Sequence, residues 1–139
     1  MSAGAAVSKT ERRTLDQQRA SFAWQSAVAG CDKAGDEYRR AAKSSPALVM
    51  SSGLMPTLAY LYAKDGAHRR LCDDLCRWLR SGHGEALGIA ASDAGFAEIM
   101  NALHGCRSED YLRATDEILE LLKWLRQYAD AVAHAGATA

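Results

Sequence analysis

The apolar positions of this chain fall on helical periods almost throughout. The clearest run lies near the C-terminal end, where Tyr111, Thr115, Ile118, Leu122, Leu125, Ala129 and Val132 step alternately by four and three residues. That seam predicts one long amphipathic helix, with Ser108 as its N-cap and Glu109 and Asp110 at the positive end of its dipole. In a chain of this size it is expected to pack against other helices of the same molecule. A first helix is expected from about Thr10 to Gly30, with Leu15, Phe22, Ala23, Ala27 and Val28 inward and Arg12, Arg13, Gln17, Gln18 and Gln25 wet. Gly30 and Gly35 bracket a break. The next segment starts near Asp36 and carries Tyr38, Ala41 and Ala42; Pro46 either kinks it or opens a short new helix behind Ser45 as N-cap.

Gly53 marks a stop that tolerates positive φ, and Pro56 then starts a helix running to about Lys64. Thr57-Leu58-Ala59-Tyr60-Leu61-Tyr62-Ala63 is apolar nearly all round, which places this helix in the middle of the core. Asp65-Gly66 turns the chain, and His68 to Leu79 is amphipathic with Leu71, Cys72, Leu75, Trp78 and Leu79 inward. After the loop at Ser81-Gly82-His83-Gly84, shorter helical pieces are expected over 85–91 and 93–103. No β-alternation of useful length and no internal repeat occurs. The fold class is therefore all-α, a compact helical bundle of about five or six helices with a long C-terminal helix. Residues 10–134 form a single helical domain between flexible tails at 1–9 and 135–139.

Composition agrees with this. The 139 residues are 48% hydrophobic and 24% charged, with two prolines, which suits one soluble, core-forming helical domain. No window reaches the roughly 18 apolar residues of a membrane span. The N-terminal charges Lys9, Arg12 and Arg13 follow the small apolar residues instead of preceding them, the reverse of a signal peptide. A cytoplasmic protein with reduced thiols at Cys31, Cys72, Cys76 and Cys106 is expected.

The net charge of zero hides an asymmetry. Residues 1–83 hold 13 Lys/Arg and 8 Asp/Glu, giving +5, while residues 84–139 hold 4 and 9, giving −5. A polyanion-binding face would draw on the first half.

Few residues support chemistry. His68, Cys72 and Cys76 lie at i, i+4, i+8, but three ligands on one straight helix span about 12 Å, too far for the outer two to share a zinc ion. Asp73 and Asp74 point about 100° apart, which suits one solvated and one salt-bridged residue better than a magnesium pair. The glycines form no phosphate-cradling loop, no Gly-x-Ser-x-Gly elbow is present, and His68, His83, His104 and His134 are scattered. No catalytic residue, metal or cofactor is assigned. Nucleic-acid binding survives: Arg39, Arg40 and Lys43 share one side of a helix, Lys64, Arg69, Arg70, Arg77 and Arg80 follow, and Arg12, Arg13 and Arg19 project from the first helix. Such cations contact phosphates without reading bases. Trp24 and Trp78 are candidates for base stacking, or else for core or interface.

Three blocks together resemble a known family, the small helical subunit of the type III-B CRISPR effector, the Cmr RNA-targeting complex. They are Leu15-Asp-Gln-Gln-Arg19-Ala20 with Ala23 and Val28; Pro46-Ala-Leu48-Val49, Gly53-Leu54 and Thr57-Leu58-Ala59-Tyr60-Leu61 to Lys64; and Tyr111-Leu112-Arg113-Ala114-Thr115-Asp116-Glu117 continuing to Trp124-Leu125-Arg126-Gln-Tyr128-Ala129. The resemblance spans residues 12 to 133, with little to align from His83 to Cys106. It implies a non-catalytic subunit for antiviral defence that stacks beside larger guide-RNA-binding subunits. By that resemblance, copies are expected to line the channel for single-stranded target RNA while base pairing reads the sequence. Arg19, Arg39, Arg40, Lys43 and Lys64 are the expected RNA-binding residues. Arg69 and Arg70 are expected at a subunit interface, where a +5 half facing a −5 half would favour self-stacking. Arg19 as an intrachain ion pair and Lys64 as a helix cap are the structural alternatives. A stand-alone adaptor that docks a partner protein through the last helix, and binds no nucleic acid, is the alternative function.

Overall fold

A computed structural model describes residues 14–80 and 93–138, which form six helices and no strand. They are α1 (Leu15–Ala34), α2 (Asp36–Ser52), α3 (Leu54–Ala63), α4 (Gly66–Leu79), α5 (Phe96–Gly105) and α6 (Ser108–Thr138). The expected tail at 1–9, the start of the first helix at Thr10, the loop after Ser81 and the piece at 85–91 lie outside the described residues.

Local chemistry explains most of the helix boundaries. The Thr14 hydroxyl accepts the Gln17 backbone N–H at 3.0 Å, and the Gln17 side chain accepts the Thr14 N–H at 2.8 Å. That reciprocal pair starts α1. Gly35, at φ +60°, turns the chain into α2, and no break occurs at Gly30, which stays helical and buried. A Cβ on Gly30 would stand 2.6 Å from the Tyr38 ring, so this glycine admits a ring and does not end a helix. Pro46 lies inside a continuous α2, where the hydroxyls of Ser44 and Ser45 donate to the Ala41 carbonyl at 3.3 and 2.7 Å. Gly53, at φ +96°, separates α2 from α3, and Pro56 falls in the first turn of α3, where its missing N–H is no loss. The Met55 N–H, left without a helical acceptor, donates to the Tyr111 hydroxyl of α6 at 3.1 Å.

Packing follows the apolar seams. α6 lies along α1 and α2, while α4 packs against α1, α2 and α3. Ala114, Ile118, Leu121, Leu122, Leu125 and Ala129 of α6 are buried, so the long seam is satisfied within the chain. The α4 seam buries Leu71, Cys72, Leu75, Trp78 and Leu79 as expected. α3 differs from the sequence reading: Leu54, Thr57, Leu58 and Leu61 are buried, but Ala59 and Tyr60 face out. The helix therefore lies at the edge of the core. α6 also continues to Thr138, past the boundary set at 134.

Candidate nucleic-acid interface

Arg19 does not face solvent. Its side chain is 14% exposed, with Nε and Nη2 donating to the two Glu117 carboxylate oxygens at 2.6 and 2.8 Å and Nη1 donating to Asp16 at 2.7 Å. Glu117 also accepts the Trp78 indole N–H at 3.1 Å. The hydrogen bonds to Glu117 hold the guanidinium pKa above its ordinary value, against the opposing effect of burial. All three nitrogens are engaged. Arg19 is thus a part-buried strut between α1 and α6, the geometry of the structural alternative weighed for it. Trp78, weighed for base stacking, is buried in the same place, packed against Phe22 at 4.9 Å between centroids.

The α2 cations divide into two groups. Arg39 pairs with Asp36 through Nη2 at 2.6 Å and reaches Asp130 of α6 through Nη1 at 3.4 Å. Lys43 Nζ stands 4.0 Å from the same Asp130, but its side chain is 55% exposed. Arg40 is 73% exposed and touches Asp36 at 2.9 Å. Hydrogen bonding from Arg39 keeps the Asp36 carboxyl below its ordinary pKa. Exposed pairs of this kind hold a cation weakly, so Arg40 and Lys43 remain available to phosphate.

Arg40 and Lys64 line one open groove of about 560 Å³, with Ser44, Tyr60 and His68. Glu37 and Asp65 line it too, which limits its positive potential. Lys64 is the C-cap of α3, yet its Nζ donates to the Tyr60 hydroxyl at 3.0 Å. His68 meets the Tyr60 ring edge to face at 6.3 Å. Burial, reinforced by Lys64, lowers the His68 pKa below the ordinary value, so the imidazole is neutral at pH 7. Asp65, at φ +60°, makes no side-chain cap to α4; its carboxylate pairs with Arg69 at 3.1 Å.

Arg69 and Arg70, the expected interface pair, turn toward the chain's own residues. The Arg69 guanidinium lies 3.7 Å from the Tyr62 ring centroid, and its Nε donates to the Tyr62 carbonyl at 2.7 Å. Tyr62 in turn stacks on Phe96 of α5 at 4.0 Å, which ties α5 to the bundle. Arg70 carries a buried Nε without a hydrogen-bond partner among the described residues, and its charge favours ionisation of Asp74 and Tyr38.

Among the described residues no group of three or more His, Cys, Asp or Glu side chains gathers to hold a metal. Cys72 and Cys76 are buried, and the Cys72 thiol donates to the Leu58 carbonyl at 3.4 Å. Asp73 is exposed, while the buried Asp74 accepts the Tyr38 hydroxyl at 2.7 Å and pairs with Arg77 at 3.1 Å, the division expected for that pair. The sequence reading missed Tyr60 as a surface residue and Glu37, Ser44 and His68 as its neighbours. Its one available signal was the i, i+4 spacing of Tyr60 and Lys64, since the rest of the groove joins α2 to α4 across the fold.

The chain matches the family model described as CRISPR-associated protein (Cas_Cmr5) over residues 15–132. It is 32% identical over 97 residues to the CRISPR system Cmr subunit Cmr5 of Thermus thermophilus, a stretch covering 69% of this chain and 75% of the relative. The crystal structure of a CRISPR-associated Cmr5 family protein, also from Thermus thermophilus, superposes with a TM-score of 0.69 at 27% identity, covering 86% of this chain and 97% of that one.

Proposed function

Because the chain belongs to the Cmr5 family of CRISPR-associated proteins, we propose that it is the small, non-catalytic subunit of an RNA-guided, RNA-targeting Cmr effector. Its partners are the other components of that complex, in the cytoplasm, and it holds the backbone of single-stranded target RNA while guide pairing reads the sequence. The observation that supports the RNA contact is the placement of Arg40 and Lys64 on one open groove, with exposed Lys43 beside Arg40 on α2. Arg39 supports this edge from its place between Asp36 and Asp130. Arg19 drops out of the RNA face, since Glu117 and Asp16 occupy it.

Stacking of copies along the complex belongs to the same proposal, but charge asymmetry alone does not drive it. Basic residues of the first half meet acidic residues of the second within one molecule, in the pairs Arg19–Glu117, Arg39–Asp130 and Lys43–Asp130. Arg69 and Arg70 are therefore proposed only as the flank of a contact between copies. The stand-alone adaptor loses its expected docking surface, because the α6 seam is buried against α1 and α2.

Reconstitution tests the proposal. A Cmr complex lacking this chain should bind or cleave complementary RNA poorly, and adding the chain back should restore it. Arg40→Glu, Lys43→Glu and Lys64→Glu together should leave the chain in the complex, weaken target binding and flatten its dependence on salt. Full activity without the chain, together with no co-migration, would sink the proposal. Normal RNA binding by the triple variant would remove the groove from it.

A further inference from the structure

We propose that the groove between α2 and the α3–α4 turn is a nucleobase-stacking subsite, in which the Tyr60 ring carries one base of single-stranded RNA and Arg40 and Lys64 hold the adjoining phosphates. The inference rests on the RNA reading above and adds to it a contact with the base. Tyr60 is 46% exposed on a helix whose leucines turn inward, so its ring is not needed by the core. Two neighbours hold the ring. Lys64 Nζ is 3.0 Å from the phenolic oxygen but 5.3 Å from the ring centroid, so the ammonium stands beyond the hydroxyl instead of above the ring. His68 meets the ring at right angles. A half-exposed aromatic ring with cations beside it is the arrangement by which proteins bind single strands without reading sequence. The groove, at about 560 Å³, is large enough for a nucleotide. Glu37 and Asp65 also line the groove and disfavour phosphate beside them, which leaves Arg40 and Lys64 as its contacts.

The test uses the full chain with isotopically labelled tyrosine and three ligands: adenosine 5′-monophosphate, a short oligoadenylate, and an abasic ribose-phosphate oligomer of equal length. The Tyr60 ring resonances should shift upfield with the first two ligands at millimolar concentration and stay in place with the third. Tyr60→Leu should weaken oligoadenylate binding about tenfold and leave abasic binding unchanged. Tyr60→Phe, which keeps the ring, should restore most of the loss, and Lys64→Ala should weaken both oligomers. No shift at Tyr60, or a Tyr60→Leu variant that binds oligoadenylate as the parent does, overturns the base subsite. If Lys64→Ala still weakens binding in that case, the phosphate reading survives alone. If Lys64→Ala and Arg40→Ala also change nothing, the RNA reading of this groove falls with it.

Discussion

Glu117 joins three helices through one carboxylate. It is buried, and it receives two hydrogen bonds from Arg19 of α1 and one from Trp78 of α4. The desolvation cost of such a group is offset only while every partner is present. Arg19→Ala should therefore destabilise the fold by about 3 kcal/mol, read as a lower midpoint in urea. Glu117→Leu should cost a comparable amount because it strands the Trp78 N–H and the guanidinium together. Neither change should flatten the salt dependence of RNA binding, which separates this strut from the phosphate-facing cations. Gly30 makes a steric argument of the same kind. A methyl group there would meet the Tyr38 ring, and that ring is held by its bond to Asp74, so it cannot swing away cheaply. Gly30→Ala should lose about 1–3 kcal/mol despite the better helix propensity of alanine.

At the scale of elements, periodicity in the sequence revealed what the helices would bury but not what would cross between them. The α4 and α6 seams were readable because each buries one stripe at a regular step, and Leu71, Leu75, Ile118, Leu122 and Leu125 are all inside. Leu122→Ala should accordingly cost about 2–5 kcal/mol in the same unfolding assay. α3 was misread because its composition is apolar on every side, so the pattern carried no phase, and only the packing of α2 and α4 decides that Tyr60 faces water. Gly30 was misread as a break because a glycine in a helical pattern looks the same whether it stops the helix or makes room for a ring. The Arg19–Glu117 pair joins residues 98 apart and leaves no local trace in the sequence. For the same reason the cations of α2 could be picked out by composition, while their division between Asp130 and the Tyr60 groove could not.

Among the described residues, the acidic side chains of α6 pair with Arg19, Arg39 and Lys43 but not with Arg40 or Lys64. α6 brings Glu117 and Asp130 onto the basic residues of α1 and α2, so Arg40 and Lys64 are the cations left over the groove. His68 makes that groove sensitive to pH. Burial and Lys64 disfavour its protonation and Glu37 favours it, while Arg40, Asp65 and Tyr60 complete the lining beside it. Burial depresses the folded-state pKa, so His68 is neutral at pH 7. The unfolded chain takes up this proton more readily, so the fold loses stability as pH drops below the unfolded histidine value of about 6.5. A bound phosphate reverses this preference by favouring the charged imidazole. RNA affinity should therefore rise as pH falls, with a proton taken up on binding. His68→Gln should abolish the rise. Glu37→Gln should strengthen binding at pH 8 by removing a repelling carboxylate, and should lower the His68 pKa further because Glu37 holds it up. Imidazole resonances followed through a pH titration, with and without oligoadenylate, report both effects. An affinity profile unmoved by His68→Gln would place the bound phosphate outside this groove.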